Sequence, residues 1–167
     1  MNEAPQKALP CAHAWVGLGA NLGDAQKTLN DALVVLHAHT QIQVQRISSF
    51  YRSAPVDAAG PDFINAVACC TTTLSPLDML HALQAIELQF GRERPYYHAP
   101  RTLDLDLLLY DSMTLSTPEL TLPHSAMHGR AFVLKPLCEL APDLLVPGRG
   151  RVKDLLAQVS AQPVERI

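Results

Sequence analysis

The stretch TLDLDLLLY at residues 102–110 closes the pattern of strands and helices and also holds the densest chemistry of the chain. Side chains alternate along a strand, so Asp104 and Asp106 share one face while Leu103, Leu105 and Leu107 point to the other. Two carboxylates two residues apart repel unless solvent screens them or a cation sits between them. Magnesium suits such a pair, because it commonly takes one or two protein carboxylates and completes its octahedron with waters and substrate phosphates. A solvent-facing strand with two unrelated aspartates is the plainer reading of Asp-x-Asp taken alone.

Upstream, AWVGLG at 14–19 reads as a first strand, a short apolar run ending in glycine. Asp24 caps a helix whose apolar positions Ala25, Leu29, Ala32, Leu33 and Leu36 form one stripe. QIQVQRISSFYR at 41–52 opens with strict alternation, Ile42 and Val44 against Gln41, Gln43 and Gln45, and reads as a half-buried strand. A loop with two prolines and a glycine, SAPVDAAGPD, leads to FINAVACCTTT, a third strand rich in small and β-branched residues. Ser75-Pro76 starts a second helix, with Asp78 in capping-box position, apolar residues at Leu80, Leu83, Ile86 and Phe90, and Gly91 as its stop. The order is then β-α-β-β-α-β, a ferredoxin-like split βαβ with two helices on one face of an antiparallel sheet. After Ser112 a Pro-His turn, a short helix near 131–140 and a C-terminal segment are expected. The expected class is α+β: a ferredoxin-like βαββαβ core plus a C-terminal extension, one domain over 1–167 with 1–12 a flexible lead-in.

Composition supports one domain, since 167 residues is close to the roughly 150 of a typical one. Hydrophobic residues make up 48% and charged ones 17%, which excludes a disordered chain. Lys and Arg number 13 against 16 Asp and Glu, a net charge of −3, so no broad basic field exists for nucleic acid. A polyanionic ligand has to be met by a few local cations. No apolar run reaches the ~20 residues of a membrane span and no secretory pattern opens the chain, so a cytoplasmic protein without membrane contact is expected. Cys11, Cys69, Cys70 and Cys138 lack metal-type spacing. They are expected to be reduced, with Cys69 and Cys70 as small core residues on opposite faces of one strand.

The arginines sharpen the reading of the acidic pair. Arg92, Arg94 and Arg101 flank it in a cation-poor chain, and arginine forks match phosphate oxygens bidentately. Carboxylates that can hold a metal, with arginines beside them, make the arrangement phosphoryl transfer needs. Pro123-His124, Arg130 and Phe132 form a second cluster, in which His124 could donate to a phosphate. The glycine run GLGANLG at 17–23 fails the dinucleotide fingerprint because Leu22 stands at its sixth position. It reads instead as a tight turn that lets backbone approach a ligand. Phe63 and Phe132 could sandwich a flat heterocycle, with the Asn65 amide at the ring edge, or could simply be core.

Taken together, GLGANLGD, SSFYRSAPV, PDFINAVA, IELQFGRER, APRTLDLDLLLY and LPHSAMHGRAFVLKPLCELAPDLLVPG resemble the 6-hydroxymethyl-7,8-dihydropterin pyrophosphokinases of folate biosynthesis. The resemblance implies transfer of the β,γ-diphosphate of ATP to the hydroxymethyl oxygen of the dihydropterin, with release of AMP. It implies two magnesium ions held by Asp104 and Asp106, and phosphate contacts from Arg92 and Arg101, with Arg94 in the same loop. His124, Arg130, Gln84 and Thr121 match positions on the nucleotide side. The pterin would stack between Phe63 and Phe132, its edge read by Asn65 and by the backbone of Ser53, Ala54, Pro55 and Val56. The family also implies a monomer.

The chain departs from many members in one loop, where His98-Ala99-Pro100-Arg101 replaces a Trp-Gly-Pro-Arg run. The bulky lid residue is then missing, or its place is taken by Tyr96, Tyr97 or His98. Two other classes compete: a metal-dependent phosphohydrolase or Asp-x-Asp glycosyltransferase, and a non-catalytic pterin or nucleotide binder. Neither alternative enzyme accounts for the Gly-Arg-Glu-Arg and Pro-His segments, and the intact acidic pair and arginines argue against lost turnover.

Overall fold

A computed structural model describes residues 11–55, 60–91 and 102–167. Along the chain come β1 (Ala12–Ala20), α1 (Ala25–Ala38), β2 (Ile42–Ile47), β3 (Tyr51–Ser53) and β4 (Phe63–Thr72). They are followed by α2 (Pro76–Gln89), β5 (Asp104–Tyr110), β6 (Leu115–Ser116) and β7 (Thr121–Leu122). A 3-10 turn at Met127–Gly129 leads into α3 (Ala131–Leu140), then β8 (Leu145–Val146), β9 (Gly150–Arg151), α4 (Val152–Gln158) and β10 (Glu165–Arg166). The main sheet runs β10-β3-β4-β1-β5, with β2 also paired to β4. Each of these pairings is antiparallel, so the protein is a mixed α/β fold on an antiparallel sheet.

Local chemistry explains the first two helices. The Asp24 side chain accepts from Lys27 N at 3.1 Å and so satisfies one of the orphan donors at the start of α1. Ser75 does the same for Asp78 N at 3.1 Å, and Pro76 stands at the first turn, where its missing N–H costs nothing. The buried stripe of α1 is Leu29, Ala32, Leu33 and Leu36, as the spacing predicts. On α2 the stripe is rotated: Met79, Leu83, Ile86 and Glu87 are buried, and Leu80 is only half-buried.

Both faces of the sheet are covered. Val16, Leu18, Ala66, Cys70, Leu105 and Leu107 pack with α1 and α2 in one core. Trp15, Val67, Cys69, Leu108 and Leu109 pack with α3 and α4 in the other. Strands buried on both faces lose the alternation of polar and apolar residues, which is why AWVGLG reads as a plain apolar run. Cys69 and Cys70 do face opposite layers, all four cysteines are free thiols, and burial pushes the Cys70 thiol up to about 12.

The structure corrects several expectations. Strand β1 begins at Ala12, two residues ahead of the apolar run, because Ala12 and His13 still pair with Thr72 and Thr71 of β4. Only residues 1–10 of the expected lead-in lie outside the described part at that end. The expected strand over 41–52 is two strands: Ser48 N donates to Val67 O at 2.9 Å and Val67 N donates back to Ser48 Oγ at 2.9 Å, which ends β2. Gly17 and Gly19 lie inside β1 rather than in a turn. The chain turns only after Ala20, where Gly23 takes a positive φ of 61°. The C-terminal segment is more structured than expected, since it supplies α4, the β8–β9 hairpin and the edge strand β10.

One carboxylate ties this segment down. Glu139 of α3 accepts from Ser49 N at 2.6 Å and from Tyr51 Oη at 3.1 Å, and pairs with Arg166 of β10 at 3.6 Å. Desolvation alone would push its carboxyl up, but the Ser49 and Tyr51 hydrogen bonds and the Arg166 charge hold it below the ordinary glutamate value. Replacing Glu139→Ala is expected to cost about 1–2 kcal/mol, read from the urea midpoint at neutral pH. A lowered carboxyl pKa means that this contribution is complete above the ordinary value of about 4.3 and is lost as pH falls through the folded one. The stability curves of parent and variant should therefore converge in acid.

Candidate active site

The α3–α4 layer covers only part of its face of the sheet. Beyond it the strand residues change character. Pairing sets Asn65 of β4, Gly19 of β1 and Asp104 of β5 in one row across three strands, and Val67, Gly17 and Asp106 in another. Strands lie about 4.8 Å apart, so the amide and the acidic pair stand about 10 Å apart across bare glycine backbone. A Cβ on Gly19 would lie 3.3 Å from Asn65 Oδ1 and 4.0 Å from the Phe63 ring. Glycine here keeps the floor flat.

Above this floor is a cavity of about 650 Å³. Phe63, Asn65, Ser53, Ala54 and Pro55 line it from the β3–β4 side, and Arg130 and Phe132 from the start of α3. Asp104 and Asp106 line the same cavity. Asn65 is buried, and its Nδ2 donates to the buried Ser53 Oγ at 2.8 Å, which holds the amide in one orientation. The Arg130 guanidinium carbon lies 5.6 Å from the centre of the Phe132 ring, within cation–π range.

The acidic strand is braced from outside. Leu105 N, between the two aspartates, donates to Glu87 Oε2 of α2 at 3.1 Å. One N–H on the outer edge of β5 thereby finds its partner on a helix. On the cavity side, two carboxylates are an all-oxygen donor set, which fits a hard cation such as magnesium. No group of three His, Cys, Asp or Glu side chains able to hold a metal occurs among the described residues. Such a pair therefore leaves most of the coordination sphere to waters or a ligand.

His124 is held beside β5 by its own backbone, which donates to Leu108 O at 2.9 Å. Its Nδ1 accepts from Ala126 N at 3.2 Å, so the neutral ring carries its proton on Nε2. Burial pushes the imidazole below its ordinary value against the pull of the Asp106 carboxylate, and Arg130 adds to the lowering. Near neutral pH the ring is a neutral Nε2–H donor. With Thr121 it lines a second, shallower hollow of about 500 Å³.

The structure thus brings nine of the expected residues into one cavity: Ser53, Ala54, Pro55, Phe63, Asn65, Asp104, Asp106, Arg130 and Phe132. His124 and Thr121 share the second hollow, while Gln84 lies on the exposed face of α2 and lines neither. Arg92, Arg94, Arg101 and Val56 lie outside the described residues, as do Tyr96, Tyr97 and His98. Sequence reasoning missed Glu87, the floor position of Gly17 and Gly19, and Gln162, Pro163 and Val164, which also line the first cavity. The glycines were detectable, since two of them at strand spacing inside an apolar run mark close approach to the backbone.

A cavity lined by two aromatic residues, a fixed amide and an acidic pair marks a mixed α/β protein that binds a small ligand. Residues 15–142 match the family described as 7,8-dihydro-6-hydroxymethylpterin-pyrophosphokinase. The 2-amino-4-hydroxy-6-hydroxymethyldihydropteridine pyrophosphokinase of Pseudomonas aeruginosa is 43% identical over 154 residues, which cover 92% of this chain and 95% of that one. Its namesake from Haemophilus influenzae is 41% identical over 146 residues, 87% of this chain and 91% of that one. The chain belongs to this pyrophosphokinase family. Among solved structures, a wild-type Plasmodium falciparum HPPK-DHPS with pteroate matches at a TM-score of 0.74 and 13% identity, over 93% of this chain and 44% of that chain. This chain therefore spans less than half of that solved chain, and the likeness between them is one of fold.

Filling the floor tests the slot. A branched side chain at Gly19 must displace Asn65, and overpacking costs about 1–3 kcal/mol. Gly19→Val is expected to weaken binding of a dihydropterin about tenfold, measured by fluorescence titration.

Proposed function

We propose that this chain is an ATP-dependent pyrophosphokinase of folate biosynthesis, which moves the β,γ-diphosphate of ATP to the hydroxymethyl oxygen of 6-hydroxymethyl-7,8-dihydropterin and releases AMP. The observation that carries this reading is one cavity holding Phe63, Phe132 and Asn65 together with Asp104 and Asp106. Family membership supports it over the whole matched range.

In this reading the pterin ring lies between Phe63 and Phe132, where offset stacking adds about 0.5–1.5 kcal/mol to the burial of the ring. Asn65, oriented by Ser53, reads the ring edge, together with the backbone of Ser53 to Val56. Asp104 and Asp106 would hold two Mg²⁺, and the chemistry the ions would supply there is neutralisation of phosphate charge. Arg92 and Arg101 are assigned to those phosphates on the resemblance, with Arg94 between them in the sequence. His124, donating from Nε2, and Arg130 serve the phosphate and ribose side of the nucleotide, and Gln84 and Thr121 lie near the nucleotide. The work of the protein is positioning: the hydroxymethyl oxygen is held in line with the β-phosphorus, so a two-body encounter becomes a local displacement.

The scaffold is read as a ferredoxin-like core, β2-β4-β1-β5 with α1 and α2 on one face, carrying a C-terminal extension. The sheet path and the packing of the two helices support it. The protein acts as a single-domain monomer in the cytoplasm, without nucleic-acid or membrane partners. The net charge of −3 supports the absence of nucleic acid. No helix among the described residues is long and apolar enough to cross a membrane.

Mixing the protein with ATP, magnesium and the hydroxymethyl dihydropterin, then separating nucleotides by chromatography, tests the reaction. AMP that depends on the pterin and disappears with EDTA is expected. ADP in its place would mean γ-phosphoryl transfer, and no nucleotide product would favour a binding protein. Asp106→Ala is expected to lower kcat about a thousandfold, with a melting temperature within about 2 °C of the parent, because a half-buried site carboxylate adds little to packing.

A further inference from the structure

The start of α3 carries two residues of the proposed site, Arg130 and Phe132, yet it has no side-chain cap of its own. Arg130 occupies the cap position and makes no capping hydrogen bond, so the first N–H of the helix needs a partner from elsewhere. Gln162, 31 residues further along the chain, supplies it: Ala131 N donates to Gln162 Oε1 at 3.0 Å. The same amide reaches to the other side of Arg130, where Gln162 Nε2 donates to Gly129 O at 2.9 Å. One side chain therefore spans Arg130 and holds the backbone before and after it.

The segment that carries Gln162 is itself fixed to both walls of the cavity. Lys135 Nζ of α3 donates to Val164 O at 2.8 Å. Glu165 and Arg166 pair with Arg52 and Tyr51 of β3, and Ile167 N donates to Phe50 O at 3.0 Å. Strand β3 ends at Ser53, the partner of Asn65, while α3 opens with the ring wall at Phe132. The segment is a strap from one wall to the other, and Gln162 is its attachment at the ring end.

We infer that Gln162 is a positioning residue of the cavity, a cap supplied from a distance that fixes the first turn of α3 and with it the spacing of Phe132 from Phe63. This rests on reading the Phe63–Phe132 slot as the pterin site. It assigns Gln162 no contact with the reacting atoms. Its side chain acts through the backbone on either side of Arg130, and the ring gap is what the pterin senses.

Gln162→Ala and Gln162→Glu separate the parts of this role. Glutamate keeps the acceptor for Ala131 N but cannot donate to Gly129 O. Two readouts are needed, amide exchange at Ala131 by NMR without ligand, and KM for the dihydropterin and for ATP. In Gln162→Ala the Ala131 amide should exchange about tenfold faster, because the acceptor that holds it is gone. KM for the pterin should rise about tenfold, KM for ATP should rise less because it senses this turn only through Arg130, and kcat should change less than about twofold. In Gln162→Glu the Ala131 amide should stay protected and KM for the pterin should fall between the two. Unchanged exchange at Ala131 in Gln162→Ala would overturn the cap whatever the ligand proves to be. Faster exchange with an unchanged pterin KM, or with equal losses for both substrates, would overturn the positioning role. A parent protein that never turns over the pterin would instead overturn the functional reading, and the exchange result would still decide the cap.

Discussion

Strand β1 is hydrogen-bonded along both edges, to β4 from Ala12↔Thr72 to Ala20↔Ile64 and to β5 from Ala14↔Tyr110 to Gly19↔Asp104. Everything at the site depends on that double register. Because strand side chains alternate with a period of two, a slip of one residue would turn Asp104, Asp106 and Asn65 into the α1–α2 core and bring leucines to the cavity. The slip is prevented by the apolar residues themselves, since Leu105 and Leu107 are packed under the helices on the far face. Burial on one side thus aims the carboxylates on the other.

The second face of the sheet carries a gradient. At one end Trp15, Cys69, Leu108 and Leu109 are sealed under α3 and α4. At the other, two glycines, a buried amide and two half-buried carboxylates form the floor and rim of a cavity. The chemistry follows from that division. A flat ring gains by lying on bare backbone between two aromatic side chains, and an acidic pair at the rim repels a polyphosphate unless a cation stands between them. The negative net charge of the chain makes that dependence sharper, because no general field draws the nucleotide in.

Much of this was legible in the residues. The helix caps at Asp24 and Ser75 and the alternation of Asp104 with Leu105 are local signals, and local signals survive folding. That Phe63 and Phe132 line one cavity was visible only as two scarce aromatic residues near polar partners, and the resemblance to a family turned it into an expectation. What stayed hidden depends on long-range pairing. Ser48 ends a strand because Val67 meets it from another strand, and a window on 41–52 contains no trace of that partner. Glu87 looks like a surface helix residue until β5 arrives with an edge N–H to satisfy. Gln162 sits in a polar segment with no periodicity, and its meaning comes from a helix start 31 residues away. Gly17 and Gly19 were read two ways, as the end of the first strand and as part of a tight turn over 17–23, because glycine in an apolar run signals both, and only two flanking strands decide for the strand.

Cys69 and Cys70 carry a consequence of their own. They are neighbours in the chain, yet one thiol is sealed under α3 and α4 and the other under α1 and α2. A small alkylating reagent can reach each only when its own layer lifts from the sheet. The pair works as two clocks on one strand. If the helices on the two faces separate at different rates, adjacent residues will be labelled at different times, and the order of labelling will tell which half of the molecule lets go first.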